Sequence, residues 1–183
     1  ELNIKRYERY KKDNSQNCVA FGYPKLDIYL ETHEIDASKY WRHPNKFRII
    51  YSPHHTLHDG KFDYGTFLEN GQFILELAKK YSDTTTWVFK PHPLLKYKLI
   101  KHKYMTENEV DSYYNEWVKI GNYYNSGDYF DIFKSSDLMI NDCESFLVEY
   151  LSTGKPLIRP RDPNSIQLNE LGAIFTSEYY NTY

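Results

Sequence analysis

The chain has 183 residues, of which 40% are hydrophobic, and a formal net charge of −2 at pH 7. This length supports one sizeable core, and a near-neutral chain without a long basic run is not expected to bind nucleic acid. The two cysteines lie far apart without CxxC spacing, which excludes a disulfide framework or zinc site of ordinary pattern and favours a reducing compartment. We interpret the 19 tyrosines as core residues with a polar edge, since no basic groove accompanies them for base stacking.

Predicted strands and helices alternate along the chain. We expect residues 1–16 to be a linker or the end of a preceding helix, and residues 17–183 to form a single domain. The predicted strands are 18–21, 47–51, 87–89, 120–124, 138–141, 157–158 and 173–175. The predicted helices are 65–81, 107–119, 128–134 and one that Ser145 caps. This alternation predicts an α/β fold with a mainly parallel sheet and helices on both faces.

Three polar loops follow predicted strands, at residues 52–60, 90–93 and 141–145. The carboxyl ends of parallel strands lie on one edge of a sheet, which is where ligands bind in such folds. The polar side chains of the three loops are therefore expected to converge, although they are far apart in sequence.

The third loop leads into a helix start, and helix starts bind phosphate through their free N–H groups. Ser145 is expected to offer its hydroxyl there, and Glu149 lies one turn further on the same face, where it could hold a ribose. The alternative is an ordinary N-cap serine followed by a solvent-exposed glutamate. Glu144 would repel a bound anion unless its carboxylate points away.

The second loop holds His92 between two prolines, with Lys90 two residues earlier. The prolines restrict the backbone, so His92 could donate to a phosphate oxygen or act as an acid or base. A structural histidine in a rigid turn is the alternative.

The first loop carries His54, His55 and His58. These histidines lack the HExxH pattern, and Asp59 is the nearby carboxylate at a ligand spacing. We favour phosphate contact by one of them over a metal site, and expect neither a metal nor another cofactor. The absence of GxGxxG and GxxxxGK[ST] patterns argues against a dehydrogenase or a P-loop NTPase.

Five segments together resemble the CDP-glycerol glycerophosphotransferase family, whose enzymes make teichoic acids and related capsular or wall polymers. The likeness extends over about residues 20–160, and its most specific parts are the KPHP and SD-(x)3-ND elements. The segments are GYPKLD at 22–27, IIYSP at 49–53, FKPHP at 89–93, SDLMIND at 136–142 and KPLI at 155–158.

The resemblance implies the C-terminal, donor-binding half of a two-halved GT-B fold, with Rossmann-like halves. It implies that His92 serves donor phosphate binding and catalysis, and that Asp142 and Ser145 match the family's D-Y-S-S turn. Glu149 stands where a carboxylate follows on the helix. Cys143 and Glu144 replace Tyr and Ser of that turn, so one phosphate-binding hydroxyl is absent.

The function implied is transfer of a polyol phosphate from a CDP-glycerol-like nucleotide-diphospho donor to a glycan or polymer acceptor. His92 and Ser145 are expected to hold the diphosphate with help from His54 or His55, and Glu149 to hold the ribose. Lys90 and Asp142 are also expected to bind the donor. The start at Glu1 rather than Met suggests a trimmed chain or part of a longer polypeptide. Because the chain resembles the C-terminal half of the family's fold, we expect an N-terminal half with the acceptor base to be missing, and the fragment alone to be inactive. A cytoplasmic protein at the inner membrane face is expected. The alternatives are a GT-B hexosyltransferase that uses a UDP-sugar and a non-catalytic nucleotide-binding or assembly module.

Overall fold

The computed structural model describes residues 18–19, 21–31, 33–58, 63–142, 144–160, 170 and 172–173, without the side chain of Glu144. Its strands are β1 (Phe47–Ser52), β2 (Thr85–Phe89), β3 (Asn122–Tyr123), β4 (Leu138–Asn141) and β5 (Leu157–Ile158). Its α-helices are α1 (Phe67–Lys80), α2 (Leu95–Lys101), α3 (Glu107–Ile120), α4 (Phe130–Ser135) and α5 (Glu144–Leu151). Two 3₁₀ helices, Pro24–Tyr29 and Ala37–Lys39, precede the sheet.

The five strands form one parallel sheet in the order β3-β2-β1-β4-β5. Strand β1 lies at the centre, with β2 and β3 on one side and β4 and β5 on the other. The order reverses between β1 and β4, and ligands bind in the crevice at such a reversal in open α/β sheets. The predicted α/β class with a parallel sheet is confirmed.

Helices cover both faces of the sheet because strand side chains alternate between the faces. Ile49 and Tyr51 of β1 pack toward α1 and α3, whereas Ile50 packs toward α4 and α5. On the first face Phe89 stacks on Trp117 of α3 with ring centroids 5.1 Å apart. The expected helices on both faces are confirmed. The core role expected of the tyrosines holds for Tyr51, Tyr113, Tyr114, Tyr129 and Tyr150, whereas Tyr23, Tyr81, Tyr97 and Tyr104 are exposed.

Local sequence explains where the longest helices begin and end. A capping box starts α3, because Thr106 Oγ1 accepts from the N–H of Glu109 while the Glu109 carboxylate accepts from the N–H of Thr106. Gly121 then lets the chain turn into β3, since a Cβ there would lie 2.3 Å from the carbonyl oxygen of Trp87. Within the described ranges, every helix is too short or too polar to cross a bilayer.

Some sequence predictions are wrong. Residues 18, 19 and 21 are not in a strand, and Ala173 is helical. Neither segment pairs with a strand of the described sheet. Helix α2 was not predicted. Residues 1–16, most of the 173–175 segment and Asp59 lie outside the described residues, and the predicted single domain and GT-B half stay predictions.

Candidate functional site

Asp142 ties the end of β4 to the loop after β1 and to the start of α1. One carboxylate oxygen accepts from the backbone N–H of His54 at 2.6 Å. The other accepts from the backbone N–H of Thr66 at 2.7 Å and from its hydroxyl at 3.0 Å. Burial raises the pKa of Asp142, against the effect of these hydrogen bonds. Asp142 thus positions the loops of the site, and its predicted contact with a donor stays a prediction.

The loops after β1 and β2 are joined by hydrogen bonds. The backbone N–H of His92 donates to the carbonyl of Pro53 at 3.0 Å, and that of Lys90 donates to Tyr51 at 2.8 Å. The hydroxyl of Ser52 donates to the carbonyl of Lys90 at 2.7 Å. The KPHP turn therefore has a fixed position against the first histidine loop.

This arrangement brings three imidazoles together. Ring centroids are 4.2 Å apart for His54 and His55, 4.1 Å for His55 and His92, and 5.3 Å for His54 and His92. One ring nitrogen from each lies within 4.8 Å of the others, a separation at which a metal ion could be held. The convergence expected for the first two loops is observed, and the prediction of no metal stays a prediction.

The imidazoles lie in a positive, partly buried environment. Burial lowers the pKa of His54 to about 4, with further lowering by His55, His92 and Lys98. Burial likewise lowers the pKa of His92 to about 4, with His55, Lys98 and Lys90 adding to the effect. Both rings are therefore neutral near pH 7 and offer N–H groups or lone pairs rather than a full charge.

His58 does not belong to this cluster. Its Nδ1 contacts the carboxylate of Asp63 and its Nε2 that of Glu69, each at 2.7 Å. The hydrogen bond to Glu69 and that to Asp63 raise the pKa of His58. The residue links the β1 loop to α1 on the exposed surface.

Lys90 is 6% exposed, and its ammonium lies among aromatic rings. Its Nζ donates to the carbonyl of Ser126 at 3.1 Å and lies 5.5, 5.0 and 5.9 Å from the ring centroids of Tyr124, Tyr129 and Phe146. Burial lowers the pKa of Lys90, and no described carboxylate opposes that shift. An anion bound close to Lys90 would stabilise this cation.

Glu149 is buried in a three-residue network. Its carboxylate pairs with Nζ of Lys25 at 2.9 Å and accepts from the hydroxyl of Tyr129 at 2.6 Å. Nζ of Lys25 also contacts that hydroxyl. Burial and the carboxylate raise the pKa of Tyr129 to about 12. The alternative of a solvent-exposed glutamate is wrong, and ribose binding by Glu149 stays a prediction.

Ser145 is exposed in the first turn of α5, which begins one residue earlier, at Glu144. The expectation that Ser145 is the N-cap is therefore wrong, because the residue already has helical geometry. Its predicted phosphate contact is compatible with this position and stays a prediction. Cys143 and the side chain of Glu144 lie outside what the structure describes.

With this geometry established, comparison with known proteins identifies the family. The model of the CDP-glycerol:poly(glycerophosphate) glycerophosphotransferase family matches residues 4–160. The chain belongs to this family. A search of curated proteins found no match.

Two solved structures are similar to this chain in fold. One is a UDP-GlcNAc 2-epimerase from Neisseria meningitidis bound to UDP-GlcNAc, with 20% identity and a TM-score of 0.48 over 81% of this chain and 37% of that one. The other is a putative UDP-N-acetylglucosamine 2-epimerase from Listeria monocytogenes, with 16% identity and a TM-score of 0.48 over 84% of this chain and 38% of that one. The chain spans less than two-fifths of the length of either structure.

The SD-(x)3-ND element of this family member has a different role at each end of β4. At the amino end the carboxylate of Asp137 accepts from Nη2 of Arg48 at 2.9 Å and from its Nε at 3.0 Å, which joins β4 to β1. There the hydroxyl of Ser136 contacts that of Tyr150 at 2.8 Å. At the carboxyl end Asp142 fixes the site loops. One motif therefore aligns both ends of the same strand pair.

Five residues around the site were not predicted from the sequence. Thr56 lies two residues after His54, and Lys25 lies within a quoted motif, so each had a local signal. Thr66, Lys98 and Tyr129 had none, because their roles depend on contacts between distant segments.

Proposed function

We propose that this chain binds a CDP-glycerol-like donor and supports transfer of its glycerol phosphate to a hydroxyl of a glycan or polymer acceptor. The observation that carries the proposal is the meeting of His54, His55 and His92 at the carboxyl ends of β1 and β2. Strand β1 also borders the point where the strand order reverses. Membership of the glycerophosphotransferase family supports the reaction class.

The diphosphate is assigned to the edge formed by the histidine cluster and the start of α5. Imidazole N–H groups of His54 and His92 supply hydrogen bonds, and Lys90 and Lys98 supply positive charge. The influence of Lys98 on both histidine pKa values supports a positive field at this point. Ser145 and the first N–H groups of α5 add donors of the kind that bind phosphate.

The reaction proposed is an in-line displacement at the phosphorus that carries glycerol. The acceptor oxygen forms a bond to that phosphorus, and the bond to the bridging oxygen breaks, so CMP leaves with the electron pair. The proton of the acceptor hydroxyl passes to a general base. Donors and cations around the diphosphate stabilise the negative charge that develops on CMP, which is the main source of catalysis in phosphoryl transfer.

The ribose is assigned to Glu149. Its carboxylate accepts from Lys25 and Tyr129, which leaves acceptor capacity for a ribose hydroxyl. Lys25 is the exposed partner, with 40% of its side chain accessible against 2% for Glu149. We propose that displacement of Lys25 opens the carboxylate to the nucleoside.

The remaining assignments follow from this role. We propose that residues 17–183 form one donor-binding domain of a two-halved GT-B enzyme at the cytoplasmic membrane face. Acceptor binding and the general base are assigned to the other half. On this proposal the chain binds nucleotide alone but turns over little or nothing.

Calorimetric titration with CDP-glycerol, CDP, UDP-GlcNAc and cytidine tests the proposal. CDP-glycerol should bind, and His92→Ala should weaken it about tenfold or more while leaving cytidine unchanged, because the lost hydrogen bond is to a charged group. His43→Ala, a substitution of an exposed histidine outside the cluster, is the matched control and should change neither. Preference for UDP-GlcNAc would favour the hexosyltransferase. Absence of nucleotide binding by folded protein would exclude both transferase functions and leave a non-catalytic module.

A further inference from the structure

The hydrogen bonds around His54 determine which of its ring nitrogens carries the proton. Its Nδ1 lies 3.1 Å from the hydroxyl of Thr56 and 3.4 Å from the backbone N–H of that residue. The same hydroxyl oxygen accepts from the backbone N–H groups of Tyr64 at 2.9 Å and Gly65 at 2.7 Å. Both of its lone pairs are therefore used, and its own hydrogen points to Nδ1. Nδ1 of His54 is an acceptor.

A second, independent contact gives the same result for His92. The backbone N–H of Leu94 donates to its Nδ1 at 3.1 Å. A backbone N–H has no lone pair to offer, so Nδ1 of His92 must also be an acceptor. In a neutral imidazole whose Nδ1 accepts, the proton lies on Nε2.

We propose that His54 and His92 meet the donor diphosphate as neutral imidazoles, each held in the Nε2–H tautomer, and that Thr56 and the Leu94 amide are the groups that hold them so. This inference rests on the proposed function for the ligand, whereas the tautomers belong to the free protein. The two residues then act as hydrogen-bond donors at Nε2, with no lone pair there to act as a general base or metal ligand. Thr56 is a positioning residue.

The charged groups around the rings are consistent with neutral donors. His54 faces His55, His92, Lys98 of α2 and Asp63 of the loop before α1. His92 faces His55, Lys98 and Lys90. A second proton on either ring would lie on Nδ1 and clash with the hydrogen that Thr56 or the Leu94 amide donates there. It would also add a positive charge close to lysines. On this proposal the lysines supply the positive charge that a diphosphate needs, and the histidines supply hydrogen bonds of fixed direction.

Histidine ring nitrogen NMR of the ligand-free protein at about pH 7 tests the tautomers directly. Two-bond ¹⁵N–¹H spectra should show a bare Nδ1 and a protonated Nε2 for His54 and His92, with assignment by His54→Gln and His92→Gln. A protonated Nδ1 on either ring, or a cationic ring, overturns the proposal. So does stoichiometric binding of Zn²⁺ that perturbs both Nε2 signals.

Variants of Thr56 test its role as the group that holds His54. Thr56→Val removes the hydroxyl donor and should raise the Nδ1–H population of His54 while His92 stays unchanged. Thr56→Ser restores the hydroxyl and should restore the spectrum. An unchanged His54 spectrum in folded Thr56→Val would show that Thr56 does not hold the tautomer.

The pH profile of CDP-glycerol affinity tests the ligand side. This diphosphate diester has no ionisation of its own near neutrality, so the affinity should be flat between about pH 6 and pH 8 if the histidines bind as neutral donors. If either had to be cationic, affinity would fall about tenfold per pH unit above its pKa. The same titration with Lys90→Met shows whether any pH dependence of the affinity comes from ionisation of Lys90 rather than of the histidines. Tautomers as stated without nucleotide binding would overturn the proposed function alone, whereas nucleotide binding with the opposite tautomers would overturn this inference alone.

Discussion

Asp142 holds His54 by a hydrogen bond of 2.6 Å from the histidine backbone to the carboxylate, across 88 residues of sequence. The same carboxylate holds Thr66, at the residue before α1. The carboxyl ends of β1 and β4 and the amino end of α1 are therefore fixed by one side chain. The position of the histidine cluster depends on this buried contact rather than on the loop alone.

Asp142→Ala should destabilise the protein and weaken donor binding together. It leaves buried N–H groups of His54 and Thr66 without their acceptor, which we expect to lower the free energy of unfolding by about 3 kcal/mol. Urea unfolding measures this loss, and calorimetry measures CDP-glycerol affinity. Asp137→Ala is the matched control at the other end of β4. It should lower stability by about 1 kcal/mol, because its Arg48 pair is partly exposed, and leave affinity unchanged. Equal losses of affinity in the two variants would contradict a specific role for Asp142.

The stability of the protein should fall as the pH is lowered from about 6.5 to about 4. The folded pKa values of His54 and His92, about 4, lie below the ordinary value of 6.5. Between these values each histidine binds more protons in the unfolded chain than in the folded chain, so the contribution of the pair to stability decreases with falling pH and is constant below about 4. The urea midpoint as a function of pH measures the effect.

The matched comparison for this pH effect is a pair of variants. His54→Gln/His92→Gln should flatten the dependence in that window, whereas His43→Gln should leave it as in the wild type. A wild-type slope retained by the double variant would show that other groups control acid stability.

The sheet was predictable because its signals are local. Strand β1 is an apolar run between Lys46 and Pro53, and the structure places it within one residue of the predicted bounds. Helix α2 escaped prediction because its two buried residues, Leu95 and Leu99, stand among lysines directly after Pro93. A single turn of apolar spacing in a basic segment gives too little periodicity to distinguish a helix from a loop.

The site was predictable only in outline. Parallel strands place their carboxyl ends on one edge, which sufficed to expect that His54 and His92 approach one another. The partner of Glu149 is Lys25, 124 residues away, and no periodicity encodes such a pair. Ser145 was predicted to cap a helix that would begin at residue 146, but the helix begins at Glu144, a difference of two residues at a boundary that sequence determines poorly.

Lys25 and Glu149 should show energetic coupling. Lys25→Met leaves a buried carboxylate without its cation, but water can reach the exposed lysine position, so we expect a loss of about 1 kcal/mol. Glu149→Gln should lose about 2 kcal/mol, because the amide replaces an acceptor of Tyr129 and Lys25. In the double variant the losses should not add, leaving a coupling energy of about 1 kcal/mol by urea unfolding. Strict additivity would mean that the ion pair contributes nothing.

Gly65→Ala should disrupt the first histidine loop. A Cβ at Gly65 would lie 2.2 Å from the carbonyl oxygen of Thr56, a backbone atom that cannot move without moving His54. We expect a loss of about 2 kcal/mol and a changed His54 ring spectrum. Gly127→Ala is the matched control, because a Cβ at Gly127 would have nothing within 4 Å, and it should leave the spectrum unchanged. An unchanged His54 spectrum and unchanged stability in Gly65→Ala would contradict the close approach of Gly65 to the Thr56 carbonyl.

Lys90→Met should weaken CDP-glycerol binding without destabilising the fold. The methionine keeps the apolar length that packs among Tyr129 and Phe146, while the buried charge, which pairs with no described carboxylate, is removed. Removal of a buried charge that no carboxylate pairs should offset the loss of its ring contacts and of its hydrogen bond to the carbonyl of the exposed Ser126, so the urea midpoint should change little. Affinity should fall about tenfold, because the diphosphate loses a cation in a partly dry site.

Lys155→Met is the matched control, and it should lower stability without changing donor affinity. Lys155 is also a partly buried lysine with a pKa lowered by burial, but its Nζ donates to the carbonyls of Ser136 and Phe133, at 2.6 and 3.3 Å, and to that of Lys134. Its loss leaves those carbonyls without their donor, so the urea midpoint should fall while affinity is kept. Two lysines whose pKa values are lowered by burial would thus separate a cation proposed to bind the donor from one whose hydrogen bonds stabilise the fold. A loss of stability in Lys90→Met with unchanged affinity would assign Lys90 to the fold instead.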